Sequence, residues 1–139
     1  MKVLKWIALS LLSLIFMIWI FVYEVASGIN EGTAYKEANF FYYYVLTDTD
    51  IKNCPKISSI YSFESQPGDG YSSSNAIIFR GVESIEPVRD YLLELGYKRE
   101  KRRLGESEIW TKDGVVDSNI FYLSLNKKTK EAELMKVFR

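Results

Sequence analysis

Residues 6–23 read WIALSLLSLIFMIWIFVY and form eighteen consecutive positions without a charged side chain. As an α-helix rising about 1.5 Å per residue, the stretch is roughly 27 Å long, close to the thickness of a bilayer hydrocarbon core. Trp6 lies near one end and Trp19 and Tyr23 near the other, where amphipathic rings favour the headgroup level. The sequence therefore predicts a helix that spans a lipid bilayer through residues 6–23.

The charges that flank this stretch predict its orientation. Lys2 and Lys5 precede it, Glu24 and Glu31 follow it, and the next basic residue is Lys36. Positively charged flanks stay on the cytoplasmic side of a membrane. We therefore expect a single-pass protein of the inner (plasma) membrane, with a cytoplasmic N-terminus and a periplasmic or extracellular C-terminal domain.

A cleavable signal peptide is the main alternative to an anchor. The small residues 25–27, Val-Ala-Ser, offer a cleavage site before Gly28. The apolar run is longer than the usual signal core of about 7–15 residues, and it is rich in bulky side chains, which favours an uncleaved anchor. A buried helix of a soluble core is disfavoured because the stretch has no polar face.

Composition limits the chemistry of the outer part. Two of the chain's 18 basic residues precede the stretch, which leaves 16 against 18 acidic residues, so no strong field attracts nucleic acid. The chain has no histidine and one cysteine, which excludes Ser-His-Asp and Cys-His catalysis and a cysteine zinc site. We predict no cofactor and no metal, and we expect Cys54 to be buried and inert.

The chain divides into an anchor at 1–23, a tether at 24–38 and an α+β domain at 39–139. Residues 40–46, FFYYYVL, are continuously apolar and favour a strand buried on both faces, with a helix running on from Ala34 as the alternative. A hairpin with arms at 57–63 and 75–80 follows, because residues 66–70, QPGDG, are a strong turn signal.

One helix and four more strands complete the predicted domain. The helix covers 84–95, with Ser84 as its N-cap, a stripe formed by Ile85, Val88, Leu92 and Leu95, and Gly96 at its end. The strands cover 97–103, 108–112, 120–125 and 132–138. One main helix on a mostly antiparallel sheet gives a two-layer α+β sandwich.

The densest charge cluster is the predicted binding site. It comprises Lys98, Arg99, Lys101, Arg102 and Arg103. We interpret it first as a charged sheet edge that disfavours strand pairing, with a contact for phosphate headgroups or an acidic partner protein as the alternative. Tyr71, in the hairpin loop, is the best candidate for an exposed aromatic contact.

The sequence patterns that could indicate catalysis are weaker evidence of function than the basic cluster. Ser124 and Lys127 match S-x-x-K, but they close a strand rather than face a cleft from a helix. Two carboxylate pairs, Asp48 with Asp50 and Glu106 with Glu108, lie in turns or strand edges, where acids are normally solvated. Calcium binding is not predicted either, because the sequence 48–53 lacks the glycine and the terminal glutamate of an EF-hand loop. We therefore predict no catalytic residue.

The layout resembles that of type IV pilins and of small membrane-tethered immunity proteins in size and topology alone. Residues 6–23 contain neither the glycine nor the glutamate that pilin helices carry. We expect a non-enzymatic module of a bacterial envelope that binds another protein. An inhibitor or an immunity protein would be a module of this kind. A minimal hydrolase and a structural subunit of a membrane assembly are the alternatives.

N-terminal sequencing of the mature protein tests the anchor. If residues 6–23 stay in the membrane as an uncleaved anchor, residues 1–5 remain attached, so we expect the sequence to begin at Met1. A mature chain that begins at Gly28 would show that the stretch is a signal peptide. A reporter fused after Arg139 should be active only outside the cytoplasm.

Overall fold

The computed structural model describes residues 1–30, 32–115 and 118–139, with the backbone alone for residues 2 and 24–30. The described residues form four helices and seven strands. The helices are α1 (Lys2–Asn30), α2 (Phe40–Leu46), α3 (Thr49–Lys52) and α4 (Glu86–Glu94). The strands are β1 (Thr33–Tyr35), β2 (Ile60–Gln66), β3 (Ser74–Arg80), β4 (Lys98–Leu104), β5 (Ser107–Thr111), β6 (Ile120–Asn126) and β7 (Glu131–Val137).

The first helix contains the predicted membrane segment. Its part Val3–Tyr23 is long and apolar enough to cross a membrane, and none of it is buried within the protein. The helix continues to Asn30, so the predicted tether at 24–38 contains the end of α1 and the whole of β1. Glu31, which also belongs to that tether, lies outside the described residues.

The seven strands form one open antiparallel sheet in the order β1-β2-β3-β7-β6-β5-β4. The chain leaves β3 near the centre, passes through α4, and enters β4 at the far edge. The meander β4 to β7 then returns, and β7 pairs with β3. The predicted α+β class and antiparallel sheet are confirmed, and the predicted hairpin is formed by β2 and β3.

The core lies on one face of this sheet. Four side chains in register across four strands are almost completely buried there: Phe63, Ile77, Leu134 and Leu123. Val88 and Leu92 from α4 and Ile51 from α3 join the same apolar cluster. Alternation along each strand places these residues on one face. The strands predicted after residue 56 agree with the observed ones to within a few residues.

Helix α4 ends as its sequence predicts. Gly96 has a φ of 84°, a conformation that a residue with a Cβ rarely adopts. The amide of Gly96 donates to the carbonyl of Leu93, and that of Tyr97 donates to the carbonyl of Leu92, both at 2.9 Å. These two bonds form a Schellman motif, which turns the chain directly into β4.

The strand predicted for residues 40–46 is wrong, because these residues form the helix α2. Three of its side chains, Tyr42, Tyr43 and Leu46, pack against the core, while the rest of the helix faces outward. A run that is apolar at every position carries no period, so it could not reveal this amphipathic arrangement. The short elements α3 and β1 were also missed.

A buried ion cluster fixes the segment that follows α2 to the sheet. Lys136 lies on the core face of β7 with only 7% of its side chain exposed, and its Nζ donates to Asp48 at 2.8 Å and to Asp50 at 2.7 Å. Asp48 also caps α3 by accepting from the amide of Asp50, and its own amide donates to Asn75 on β3. Burial alone would lower the pKa of Lys136, but its bonds to the two aspartates raise it.

Removal of the Lys136 ammonium should destabilise the domain. Lys136→Met keeps most of the side-chain volume but leaves two partly buried carboxylates without their cation, so we expect a loss of about 3 kcal/mol in the free energy of unfolding. The loss can be measured by chemical denaturation of the full chain in detergent micelles.

A triple variant separates charge from packing. Adding Asp48→Asn and Asp50→Asn to Lys136→Met should recover part of the stability, since asparagine still caps a helix. A triple variant no more stable than the single one would show that the carboxylates do not cause the loss.

Candidate functional site

The predicted basic cluster forms β4, the edge strand of the sheet. Three of its five basic residues pair with carboxylates: Lys98 with Asp113 at 2.6 Å, Arg102 with Glu100 at 2.7 Å, and Arg99 with Glu108 at 3.3 Å. The first pair is exposed and the second is partly exposed, and such surface pairs contribute little to stability. Arg99 and the two remaining basic residues of β4 form a distinct surface.

These three residues, Arg99, Lys101 and Arg103, line one cleft of about 320 Å³ together with Glu100 and Glu108. The register between β4 and β5 shifts here, so that four residue steps on β4 face two on β5. Arg103 donates to the carbonyl of Glu106 at 2.6 Å. In the described part of the chain, no carboxylate forms an ion pair with Lys101 or Arg103. We call this surface the basic cleft.

A buried carboxylate forms the floor of the basic cleft. Glu108 on β5 has 5% of its side chain exposed and accepts two hydrogen bonds from Arg89 on α4, at 2.5 Å and 3.1 Å. It also accepts from Arg99 and from the indole of Trp110, both at 3.3 Å. Arg89 in turn pairs with Glu86 on its own helix. The network ties α4 to the edge of the sheet.

Electrostatics keep Glu108 ionised. Burial would raise its pKa, but the hydrogen bonds from Arg89, together with those from Trp110 and the charge of Arg99, lower it overall. The bond to Glu108 correspondingly raises the pKa of Arg89. Because Glu108 accepts four hydrogen bonds, it is occupied as an acceptor and is poorly placed to exchange a proton with a ligand. One of its four bonds links it to Arg99 at the side of the cleft.

The basic cleft can bind carboxylates or phosphates. Guanidinium groups present paired donors that match both anions, and lysine adds a mobile point charge. The arrangement thus offers recognition of an anionic group by three cations at the rim of a sheet.

The other candidate groups from the sequence do not assemble into a cleft. Asp48 and Asp50 are held by the Lys136 ammonium. Lys127 lines a second cleft with Leu123 and Leu125, and Ser124, between those two leucines on β6, belongs to the opposite face of the sheet. Among the residues that the structure describes, no group of three His, Cys, Asp or Glu side chains is placed to hold a metal.

Tyr71 lies apart from the basic cleft. It is exposed in the loop between β2 and β3, and four strand spacings separate β3 from β4, which is roughly 19 Å. The structure therefore brings the basic residues together but leaves Tyr71 on the other half of the sheet.

Sequence reasoning missed the supporting residues Arg89 and Trp110 and the buried role of Glu108. The available signal was the alternation of β5, which places Glu108 on the same face as Trp110. A charged residue at an inward strand position requires a partner of opposite charge. The sequence offers no means to select Arg89 as that partner, because the two residues meet only through the fold.

Comparison with known proteins adds no identification. The chain matches no protein-family model, no curated protein and no solved structure.

Loss of the Glu108 carboxylate should weaken the contact between α4 and the sheet. Glu108→Ala leaves Arg89, which is one quarter exposed, without its main partner, so we expect a loss of about 2 kcal/mol in the free energy of unfolding. Glu106→Ala is the matched control, because Glu106 is exposed and contributes only its carbonyl to Arg103. Chemical denaturation measures both, and equal losses would contradict a specific role for Glu108.

Proposed function

We propose that this protein is a membrane-anchored binding module without catalytic activity, whose outer domain uses the basic cleft to hold an acidic segment of a partner protein. In this proposal α1 spans the inner membrane with its N-terminus in the cytoplasm, and the two-layer α+β domain stands outside. The existence of a helix of suitable length and apolarity supports the anchor.

One observation carries the binding role. Three cations converge on one cleft at an exposed edge strand, and two of them, Lys101 and Arg103, have no carboxylate paired with them among the described residues. The rest of the domain is close to neutral, so this uncompensated charge is local. A local positive patch selects an oppositely charged partner and accelerates its association.

The support beneath the cleft favours recognition over simple solvation. Glu108 holds Arg99 from below, and Arg89 holds Glu108 from α4, which limits the conformations that Arg99 can adopt. A side chain that is ordered before binding loses less entropy when the partner arrives.

Site-specific photocrosslinking in intact cells tests the proposal. A benzoylphenylalanine in place of the exposed Leu104, at the end of β4, should give a discrete adduct at native expression. Lys101→Gln with Arg103→Gln should reduce the adduct about tenfold, because losing two charge-assisted contacts costs more than the 1.4 kcal/mol that a tenfold change requires.

The control removes the same charges elsewhere. Arg80→Gln with Lys128→Gln replaces one arginine and one lysine at exposed positions outside the cleft and should leave the adduct unchanged. An adduct that persists in the cleft variant, or equal losses in both variants, would refute the basic cleft as the binding surface.

A further inference from the structure

Helix α2 leaves a set of large apolar side chains uncovered. Phe40, Phe41, Tyr44 and Val45 are 71%, 38%, 59% and 53% exposed. The rings of Phe40 and Tyr44, one helical turn apart, pack against each other with centroids 4.4 Å apart. We call these four side chains the α2 face. A contiguous exposed apolar patch rimmed by polar residues marks a surface that another apolar phase covers.

The α2 face lies at the level where the apolar part of α1 ends. The ring of Phe41 contacts that of Phe21 edge-to-face, with centroids 5.7 Å apart. Phe21 is two residues before Tyr23, the last residue of the apolar span. The helix α1 then rises seven more residues, about 10 Å, to Asn30 before the chain enters β1. The chain therefore comes back toward the end of the span when it forms α2.

The chemistry of the α2 face suits the boundary of a bilayer. Tyrosine rings favour the headgroup level, as expected of Trp19 and Tyr23 on a spanning α1, and phenylalanine rings lie on the apolar side of the same boundary. The ammonium of Lys52 lies 5.5 Å and 5.4 Å from the ring centres of Tyr43 and Tyr44 and donates to the carbonyl of Tyr44 at 3.1 Å. A cation beside an apolar face can reach lipid phosphates while its stem stays in contact with the rings.

We propose that α2 is a second membrane contact, whose face of Phe40, Phe41, Tyr44 and Val45 inserts into the interfacial layer of the bilayer that α1 spans. The inference rests on the proposed anchor. Lipid is the occupant because the patch is continuous with α1: lipid that covers Phe21 also reaches Phe41. The contact orients the outer domain on the membrane instead of leaving it free to rotate about a tether.

Spin labels at single introduced cysteines test this contact in the full chain. The native Cys54 is buried, and burial raises the pKa of its thiol to about 12, so it should remain unlabelled at neutral pH. Nitroxides are attached at Phe40→Cys, at Ile15→Cys within α1, and at Leu104→Cys on β4, three exposed apolar positions. Each chain is placed as one copy per nanodisc of phosphatidylcholine and phosphatidylglycerol.

Power saturation then compares the access of oxygen, which concentrates in lipid, with that of a water-soluble nickel complex. We expect oxygen to dominate at positions 15 and 40 and nickel to dominate at 104. Adding Tyr44→Gln and Val45→Gln should lower the oxygen-to-nickel ratio at position 40 severalfold. Leu93→Gln, at an exposed position on α4, is the matched control and should leave the ratio unchanged.

The outcomes separate the contact from the anchor. Nickel access at 40 with oxygen access at 15 would overturn the α2 contact and leave the anchor intact. Nickel access at 15 would overturn both. A label at 40 that neither reagent reaches would show that protein, rather than lipid, covers the α2 face, and this too would overturn the proposal. Circular dichroism verifies that each variant is folded.

Discussion

The ammonium of Lys136 ties the segment that follows α2 to the central strand of the sheet. It lies on the core face of the central strand β7, where an unpaired charge would be costly, and its partners Asp48 and Asp50 come from the segment between α2 and the end of α3. The position of that segment is therefore dictated by the need to neutralise Lys136. Thr47, directly before Asp48, bonds to Tyr35 on β1 at 2.7 Å, so the end of α2 is held at two strands of the sheet.

A second buried charge has the same effect two strands away, on the same face of the sheet. Glu108 on β5 also faces the core side, and Arg89 of α4 meets its charge. In each case a charged residue interrupts the apolar alternation of a strand and fixes a helical segment in one place. Apolar packing would tolerate small shifts of α3 and α4, but an ion pair with short hydrogen bonds favours one geometry.

The elements that the sequence predicted are those with a local signal. The hairpin turn carries Pro67 and Gly70, α4 has a stripe and a terminal glycine, and the later strands alternate or run apolar for several residues. The order of the sheet was beyond reach, because β7 pairs with β3 across about sixty residues and no local pattern reports that contact. At α2 a strand was preferred to the alternative of a helix for a different reason: every residue of the run is apolar, so its amphipathic character is visible only in the core contacts of Tyr42 and Tyr43.

The same distinction applies to the candidate site. The basic run 98–103 was evident from composition. Which of its cations are paired with carboxylates and which are not could be decided only once the register of β4 on β5 was known. Which cations remain available depends on acidic neighbours such as Asp113 and Glu100, and those neighbours were visible in the sequence only as scattered charges.

The two edge strands of the open sheet have a consequence for a chain that is anchored in a membrane as proposed above. Proteins confined to a bilayer meet one another far more often than the same number in solution, and every bare strand is then a template for runaway polymerisation. The β1 rim is only three residues long, which gives a neighbour little to join. The opposite edge strand, β4, carries two cations, Lys101 and Arg103, that no carboxylate pairs with among the described residues, so two identical copies repel each other there while an anionic partner is attracted. Both edges therefore disfavour pairing between the sheets of two identical copies.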